Sequence, residues 1–168
     1  MILRISLIIS DQKLDQMETD INNFNIRVYA IIMKDSYYVL ISDEYMMDME
    51  MTKFPGGGLR FGEGPADCLR REAMEEFSQE IEIIRHYYTT DFFQRSLFFK
   101  DHQLISIYYL ARFTVPVRFK ISIKPFDFRE MKNGNQSFRW ADLRKMVTED
   151  LTFPIDRIVL GMLKKDCL

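Results

Sequence analysis

The stretch from Gly57 to Gln79 constrains the fold of this chain more than any other, because a glycine-rich turn runs directly into a charged helix. Pro55 and the three glycines that follow it exclude a helix or a central strand at that point. Pro65 suits the first turn of a helix, and Asp67 is favourable beside the positive end of the helix dipole. We therefore predict a turn, followed by a helix that begins near Pro65.

The predicted helix has two different faces. Its apolar face consists of residues at helical spacing, namely Ala66, Leu69, Ala73 and Phe77. Its other face carries Cys68 and three glutamates, Glu72, Glu75 and Glu76. These glutamates stand at positions i, i+3 and i+4, so their carboxylates share one surface.

Three carboxylates on one surface repel one another, and a chain gains no stability from that arrangement. A hard divalent cation relieves the repulsion, and carboxylate oxygens are the ligands that Mg2+ prefers. We interpret the three glutamates first as a metal site and second as an ordinary solvated helix face.

The composition is that of one globular domain, with neither an internal repeat nor a linker, so we assign residues 1–168 to a single domain. A net charge of −2 provides no field for holding nucleic acid, and we predict no nucleic-acid partner. No apolar run approaches the roughly 18 residues of a membrane span, so we also predict no membrane association. Cys68 and Cys167 form no disulfide framework, which indicates reduced thiols and a cytoplasmic protein.

Apolar periodicity and turn residues predict an α/β (α+β) fold, in which helices pack on the faces of a mixed sheet. The predicted strands are 2–9, 26–33, 37–42, two segments within 80–95, 103–114, part of 117–130, and 137–140. The predicted helices are 11–21, the helix after Pro65, a segment near 141–146, and 154–165. The polar, methionine-rich stretch 43–52 is predicted to be a loop.

The spacing of the charged residues resembles the Nudix box of the Nudix hydrolase superfamily. Starting at Gly57, the chain reads Gly, five residues, Glu63, seven residues, and then Arg71-Glu72-Ala73-Met74-Glu75-Glu76. The preceding Phe54-Pro55-Gly56 also resembles the family's approach to the box. Two positions depart from the pattern, because the family's last glycine is Ser78 here and its last aliphatic residue is Gln79. A glycine at the first of these positions would take a positive φ, so Ser78 puts the end of the helix in question.

The resemblance implies an α/β/α sandwich in which the box forms a loop, a helix and a loop. It also implies hydrolysis of a phosphoanhydride bond in a small-molecule nucleoside diphosphate linked to another group. Mg2+ is the implied cofactor, with Mn2+ as a possible substitute. The implied metal ligands are Glu72, Glu75 and Glu76, of which Glu72 and Glu76 are expected to bind the metal directly.

Other box residues take supporting roles under the same resemblance. Arg71 is expected to pair with a carboxylate such as Glu63 and to hold the loop against the helix, so the catalytic set is Glu63, Arg71, Glu75 and Glu76. The glycines of 56–58 (Gly56, Gly57 and Gly58) are expected to let the backbone approach the diphosphate. Lys53 is expected to reach a phosphate.

The general base is expected to lie outside the box, in a loop before the strand that contains Trp140. Asp127 and Glu130 are both candidates, and Gln136 stands where an acidic residue is expected. If neither carboxylate reaches the attacking water, Glu75 is the alternative base. A non-hydrolysing nucleotide-binding sensor or regulatory domain is the alternative function.

Three further features leave alternatives open. Residues 1–22 precede the part that resembles the family, and we predict that this extension contributes to a homodimer. The methionines at 46, 47, 49 and 51 are interpreted as gap-filling or part of a mobile loop, with a base pocket as the alternative. The phenylalanines at 92, 93, 98 and 99 are interpreted as core or dimer surface, although one of them could stack on a nucleobase.

Overall fold

The computed structural model describes residues 20–168 of the chain. Its strands are β1 (Asn23–Lys34), β2 (Tyr38–Met46), β3 (Met49–Lys53), β4 (Gly56–Gly58), β5 (Ile81–Thr89), β6 (His102–Phe113) and β7 (Asn135–Asp142). Its α-helices are α1 (Pro65–Phe77) and α2 (Pro154–Cys167), and a short 3-10 helix covers Thr148–Asp150. The predicted strand 2–9 and most of the predicted helix 11–21 lie outside the described residues.

The strands form one mixed sheet in the order β3-β2-β1-β6-β5. The central strand β1 pairs in parallel with β6, from Asn23 opposite His102 to Ile32 opposite Ala111. On its other side, β1 pairs antiparallel with β4, whose three glycines therefore lie flat against it. Strand β2 pairs with the end of β1, at residues 33 and 34, whereas β4 pairs with residues 27–29. Strand β7 pairs antiparallel with β2.

The two helices cover opposite faces of this sheet. Alternate residues of β1 point to opposite sides, because side chains alternate along a strand. Val28, Ala30 and Ile32 pack in the core beneath α1, with the helix residues Leu69, Ala73 and Phe77. Tyr29 and Ile31 pack in the core beneath α2, with Ile155, Val159, Leu160 and Leu163. The structure thus confirms the predicted α/β/α sandwich and mixed sheet.

No helix among residues 20–168 combines the length and the apolar character that a membrane crossing requires.

The prediction of a loop over 43–52 is wrong, because β2 continues to Met46 and β3 begins at Met49. Met47 and Asp48 both have positive φ and form the tight turn of a hairpin. The strand signal was obscured by charged residues that are buried in pairs, since the Asp43 carboxylate accepts hydrogen bonds from Thr52 and Arg139.

Three other predicted elements also differ. The region 80–95 contains one strand, β5, followed by a loop that returns through a single bridge between Arg95 and Gln103. The region 117–130 contains no regular strand, only an isolated bridge from Ile121 to Phe138. The helix predicted near 141–146 is a single turn after β7, in which the backbone oxygen of Asp142 accepts bonds from the amides of 145 and 146.

The end of α1 resolves the question raised by Ser78. Ser78 adopts the left-handed conformation, with φ of 51° and ψ of 33°, and its amide bonds the carbonyl of Met74. The helix therefore ends at this position although no glycine is present. Gln79 is buried, and its side-chain amide bonds the backbone of Pro116 and Arg118, which fastens that loop below the helix. Cys68 was predicted on the polar face, but it is fully buried in the core under α1.

Candidate active site

A network around Arg71 fixes the loop between β4 and α1. Its guanidinium donates to both carboxylate oxygens of Glu63, at 3.0 and 2.7 Å, and to the carbonyl oxygen of Gly58 at 3.0 Å. The Glu63 carboxylate also accepts the backbone amide of Arg60 at 2.8 Å. The hydrogen bonds from Arg71 lower the pKa of the Glu63 carboxyl to about 2. The loop is therefore held by a bidentate, charge-assisted pair, which is the strongest common form of such a contact.

Two of the three residues in the glycine strand lie so close to their neighbours that a side chain is excluded there. A Cβ atom on Gly57 would overlap the carboxylate of Glu72. Gly56 has φ of +133°, and a Cβ atom there would overlap the backbone of Val28 in the neighbouring strand. The Glu72 carboxylate also accepts a hydrogen bond from Arg71 at 2.6 Å. The two glycines thus bring bare backbone directly beside an acidic helix face.

Glu76 lies one turn further along α1, on the side that faces the sheet. Its side chain is 9% exposed, and Oε1 accepts a hydrogen bond from Nε2 of Gln136 at 2.8 Å. Its other oxygen, Oε2, is buried and has no hydrogen-bond partner within residues 20–168. Burial raises the pKa of the Glu76 carboxyl to about 7. A buried, unpartnered carboxylate oxygen of this kind is a position that a cation can satisfy.

Lys53 and Glu44 form a buried ion pair beside Glu76. Lys53 Nζ lies 2.7 Å from Oε1 of Glu44 and donates to the carbonyl of Gly56 at 2.9 Å. Burial alone would lower the pKa of Lys53, but the neighbouring Glu44 and Glu76 raise it above its ordinary value. Glu44 also accepts a hydrogen bond from Gln136 at 2.9 Å. In this structure, the ammonium of Lys53 therefore fixes Glu44 and the end of the glycine strand.

These residues surround a polar cavity of about 320 Å3. Its walls are the glycine strand, the glutamates of α1 and the ends of β2 and β7, and they include Arg27, Glu44, Lys53, Glu72, Glu76 and Gln136. Backbone carbonyls and carboxylate oxygens are the donor set that suits a hard divalent cation. Glu72 and Glu76 thus fit a magnesium site, because they supply carboxylate oxygens and because one oxygen of Glu76 has no partner in the described part of the chain.

Glu75 takes a different position from the other two glutamates of the cluster. Its carboxylate is 3.1 Å from Arg71 and 3.3 Å from Arg60, and its side chain is about half exposed. In the part of the chain that the structure describes, no three acidic, histidine or cysteine side chains converge in a ready-made metal cluster. The structure therefore brings Glu72 and Glu76 to the cavity, whereas Glu75 is not among its lining residues.

The predicted general bases lie away from the cavity walls. Asp127 forms an ion pair with Lys120 at 2.7 Å, and the hydrogen bond from the Lys120 ammonium lowers the pKa of the Asp127 carboxyl. Glu130 is exposed in the same loop and is not among the lining residues. Gln136, by contrast, lies in the wall and joins Glu44 to Glu76 through its amide.

Two charged residues of the cavity, Glu44 and Arg27, were not predicted as site residues from the sequence. Glu44 fell in the region that was predicted to be a loop, where no strand alternation was available to place it. Arg27 is the single charged residue in the apolar run 26–33, and its Nε donates to the hydroxyl of Tyr29 at 2.7 Å. The signal that could have found Arg27 is its position in β1, since it shares the side of Tyr29.

Comparison with known proteins agrees with this geometry. A family model described as the NUDIX domain matches residues 24–160. A search of curated proteins gave no match.

Solved structures with the same fold are numerous. A NUDIX hydrolase from Nitrosomonas europaea superimposes with a TM-score of 0.62 at 16% identity, covering 86% of this chain and 72% of that one. A MutT protein from Methanosarcina mazei Go1 gives 0.59 at 16% identity, covering 86% and 96%. An ADP-ribose pyrophosphatase from Streptococcus suis 89-1591 gives 0.55 at 14% identity, covering 84% and 90%. At these identities, the likeness concerns the fold.

Proposed function

Because the chain belongs to the Nudix family, we propose that it is a pyrophosphohydrolase that uses Mg2+ to cleave a phosphoanhydride bond. The substrate class is a nucleoside diphosphate joined to a further group. Mn2+ is proposed as a cation that can replace Mg2+.

One observation carries this proposal. Glu72 lies against the glycine strand and, together with Glu76, lines the polar cavity of about 320 Å3, and Oε2 of Glu76 is buried without a hydrogen-bond partner within residues 20–168. A purely structural helix face has no need for a buried carboxylate oxygen without a donor, because leaving such a group unsatisfied costs stability. A cation that binds together with the diphosphate would supply the missing partner of the Glu76 oxygen.

The residues in and around the cavity have different proposed roles. Glu72 and Glu76 would hold Mg2+, and Glu63 and Arg71 position the loop and orient Glu72. When bound, Mg2+ would offset the negative charge that develops on the phosphoryl and leaving oxygens and would favour ionisation of a water. The backbone of 56–58 would lie beside the diphosphate.

The remaining charges of the cavity position groups around that site. Arg27 would face a phosphate oxygen. We propose for Lys53 a positioning role through Glu44 and Gly56, in place of the direct phosphate contact that the sequence suggested.

The general base requires a carboxylate within reach of the cavity. Gln136 is an amide and takes no proton, and the two loop acids do not line the cavity. Glu44 is the carboxylate of the wall that stands on β2, opposite α1, and we assign the base role to it. Glu75 remains the alternative base that the sequence suggested, although it is not among the lining residues either.

Hydrolysis of a panel of compounds tests the proposal. The panel contains nucleoside diphosphates joined to sugars, to nucleosides and to phosphate, each incubated with Mg2+ and separately with an excess of chelator. Release of a nucleoside monophosphate with Mg2+ alone supports the proposal. Binding of one or more compounds of the panel, without product from any of them, favours the non-hydrolysing sensor instead. The amide at Gln136, in place of an acid, is compatible with that function.

A further inference from the structure

A second and larger cavity adjoins the polar one. Its volume is about 620 Å3, and it shares a wall made of Arg27, Glu44, Met46 and Lys53 with the first. The rest of its lining is mostly apolar, with Met51, Phe98, Phe99, Leu104, Tyr108 and Phe153 among its residues. A cavity of this size and character suits the base and sugar of a nucleotide. Of the four methionines at 46, 47, 49 and 51, all but Met49 line this cavity.

Asp156 is the one acidic residue that lines this apolar cavity outside the wall shared with the polar cavity, within the described part of the chain. It stands in the first turn of α2 and is 1% exposed. Its Oδ1 accepts a hydrogen bond from the hydroxyl of Tyr108, whereas Oδ2 is buried and lacks a partner among the residues described. Tyr108, Lys53 and Arg27 partly offset the burial of this carboxylate, but an oxygen that has no donor among the described residues still destabilises the fold. An incoming ligand can supply the missing donor.

Tyr108 and Asp156 can accept hydrogen bonds from a ligand but cannot donate them. The Tyr108 hydroxyl donates its only proton to Asp156, so it can still act only as a hydrogen-bond acceptor. The ionised carboxylate of Asp156 is also an acceptor only. A carbonyl oxygen placed here would meet two acceptors, whereas an amino group would meet two partners.

We propose that Asp156 and Tyr108 read an exocyclic amino group on the base of the substrate. The chain would then favour nucleotides of adenine, guanine or cytosine over those of uracil or hypoxanthine. In uracil, the one ring N–H of the outer edge lies between two carbonyl oxygens, and these would be brought against the carboxylate. This inference rests on the proposed function, because the position of the diphosphate in the polar cavity is what directs the base into its neighbour.

Calorimetric binding of nucleoside monophosphates, with chelator present and at pH 8, tests the inference without hydrolysis. Two matched pairs differ mainly at the amino position, cytidine against uridine monophosphate and adenosine against inosine monophosphate. We expect the wild-type protein to bind the amino member of each pair at least tenfold more tightly. In Asp156→Asn, the side-chain amide can donate to a carbonyl, so the preference is expected to vanish or reverse. Asp142→Asn, which changes a carboxylate outside both cavities, is expected to keep it.

The wild-type measurement alone can overturn the inference, whether or not the variant folds. Equal affinity within both pairs, or no binding of any monophosphate at millimolar concentration, would refute it. A base preference without hydrolysis of any substrate would leave the amino reader standing and remove the proposed hydrolase function. Hydrolysis without a base preference would refute the amino reader and leave the proposed hydrolase function standing.

Discussion

The carboxylate of Glu72 occupies the space that a side chain on residue 57 would need. In Gly57→Ala, the new methyl group must displace this carboxylate, since the backbone of β4 is fixed by its pairing with β1. We expect hydrolysis to fall at least tenfold, because Glu72 would leave its position beside the glycine strand. The measurement is the steady-state rate with Mg2+, together with the Mg2+ concentration that gives half the maximal rate.

A methyl group added one residue later provides the comparison. At Gly58, a Cβ atom would meet nothing within 4 Å. Gly58→Ala is therefore expected to retain more activity than Gly57→Ala, although both change the same strand. Equal losses in the two variants would contradict the proposed role of the contact with Glu72.

Glu76→Gln separates the metal role of the helix from its structural role. The amide keeps the shape of the side chain and removes the charge, so the fold is expected to persist while Mg2+-dependent hydrolysis falls at least a hundredfold. Glu75→Gln is expected to lose less, because Glu75 does not line the cavity and instead contacts Arg60 and Arg71. The exposed Glu80 supplies the control, and Glu80→Gln is expected to hydrolyse at the wild-type rate.

A direct metal readout keeps this prediction independent of turnover. Mn2+ binding followed by electron paramagnetic resonance should weaken in Glu76→Gln and remain unchanged in Glu80→Gln. Near wild-type hydrolysis together with unchanged Mn2+ binding in Glu76→Gln would remove Glu76 from the metal site.

The contacts around the box differ in how far the sequence could predict them. The pair of Glu63 and Arg71 spans only eight residues, and a turn followed by a helix brings these residues together whatever the rest of the fold does. The ion pair of Lys53 and Glu44 depends on the register of the β2–β3 hairpin. Its strands were hidden by buried charges in their sequence, so a reading based on apolar alternation missed them.

The second cavity depends on still more distant contacts. Asp156 meets Tyr108 because α2 packs across β6, and these residues are 48 positions apart. Periodicity placed the helix α2 correctly, but it gives no information about which strand lies opposite a polar residue in the first turn. The acidic helix was therefore predictable from local sequence, whereas the residues that would read the base were not.

Acid should remove the contribution of Glu63 to stability. Its pKa is about 2 in the folded protein, below the ordinary value of 4.5, because Arg71 stabilises the charged form. A lowered pKa stabilises the fold fully above the unfolded value, and this contribution disappears as the pH falls toward 2. We expect the free energy of unfolding in urea to differ between wild type and Glu63→Gln at pH 5 to 8. The difference should shrink between pH 4.5 and 2, and a constant difference over that range would contradict the assignment.

Asp156 should show the opposite dependence on pH. Burial raises the pKa of Asp156 to about 7 from the ordinary 3.8, although Tyr108, Lys53 and Arg27 oppose the rise. A raised pKa stabilises the fold at low pH, and this contribution is lost as the pH rises through about 7. Relative to Asp156→Asn, the ligand-free wild-type protein is therefore expected to lose about 2–4 kcal/mol of unfolding free energy between pH 4 and 8. Parallel stability curves for the two proteins would show that Asp156 is ionised throughout.

Ser78→Gly is expected to stabilise the protein without changing its chemistry. Ser78 holds a left-handed conformation at the end of α1, with φ of 51°, which costs a residue with a side chain about 1 kcal/mol. Glycine takes this conformation without that cost, so the free energy of unfolding in urea should rise by about 0.5–1 kcal/mol. Ser78→Ala retains the Cβ atom and should give no such gain, while hydrolysis stays at the wild-type rate in both variants. A glycine variant no more stable than the alanine variant would mean that the left-handed conformation at Ser78 carries no strain.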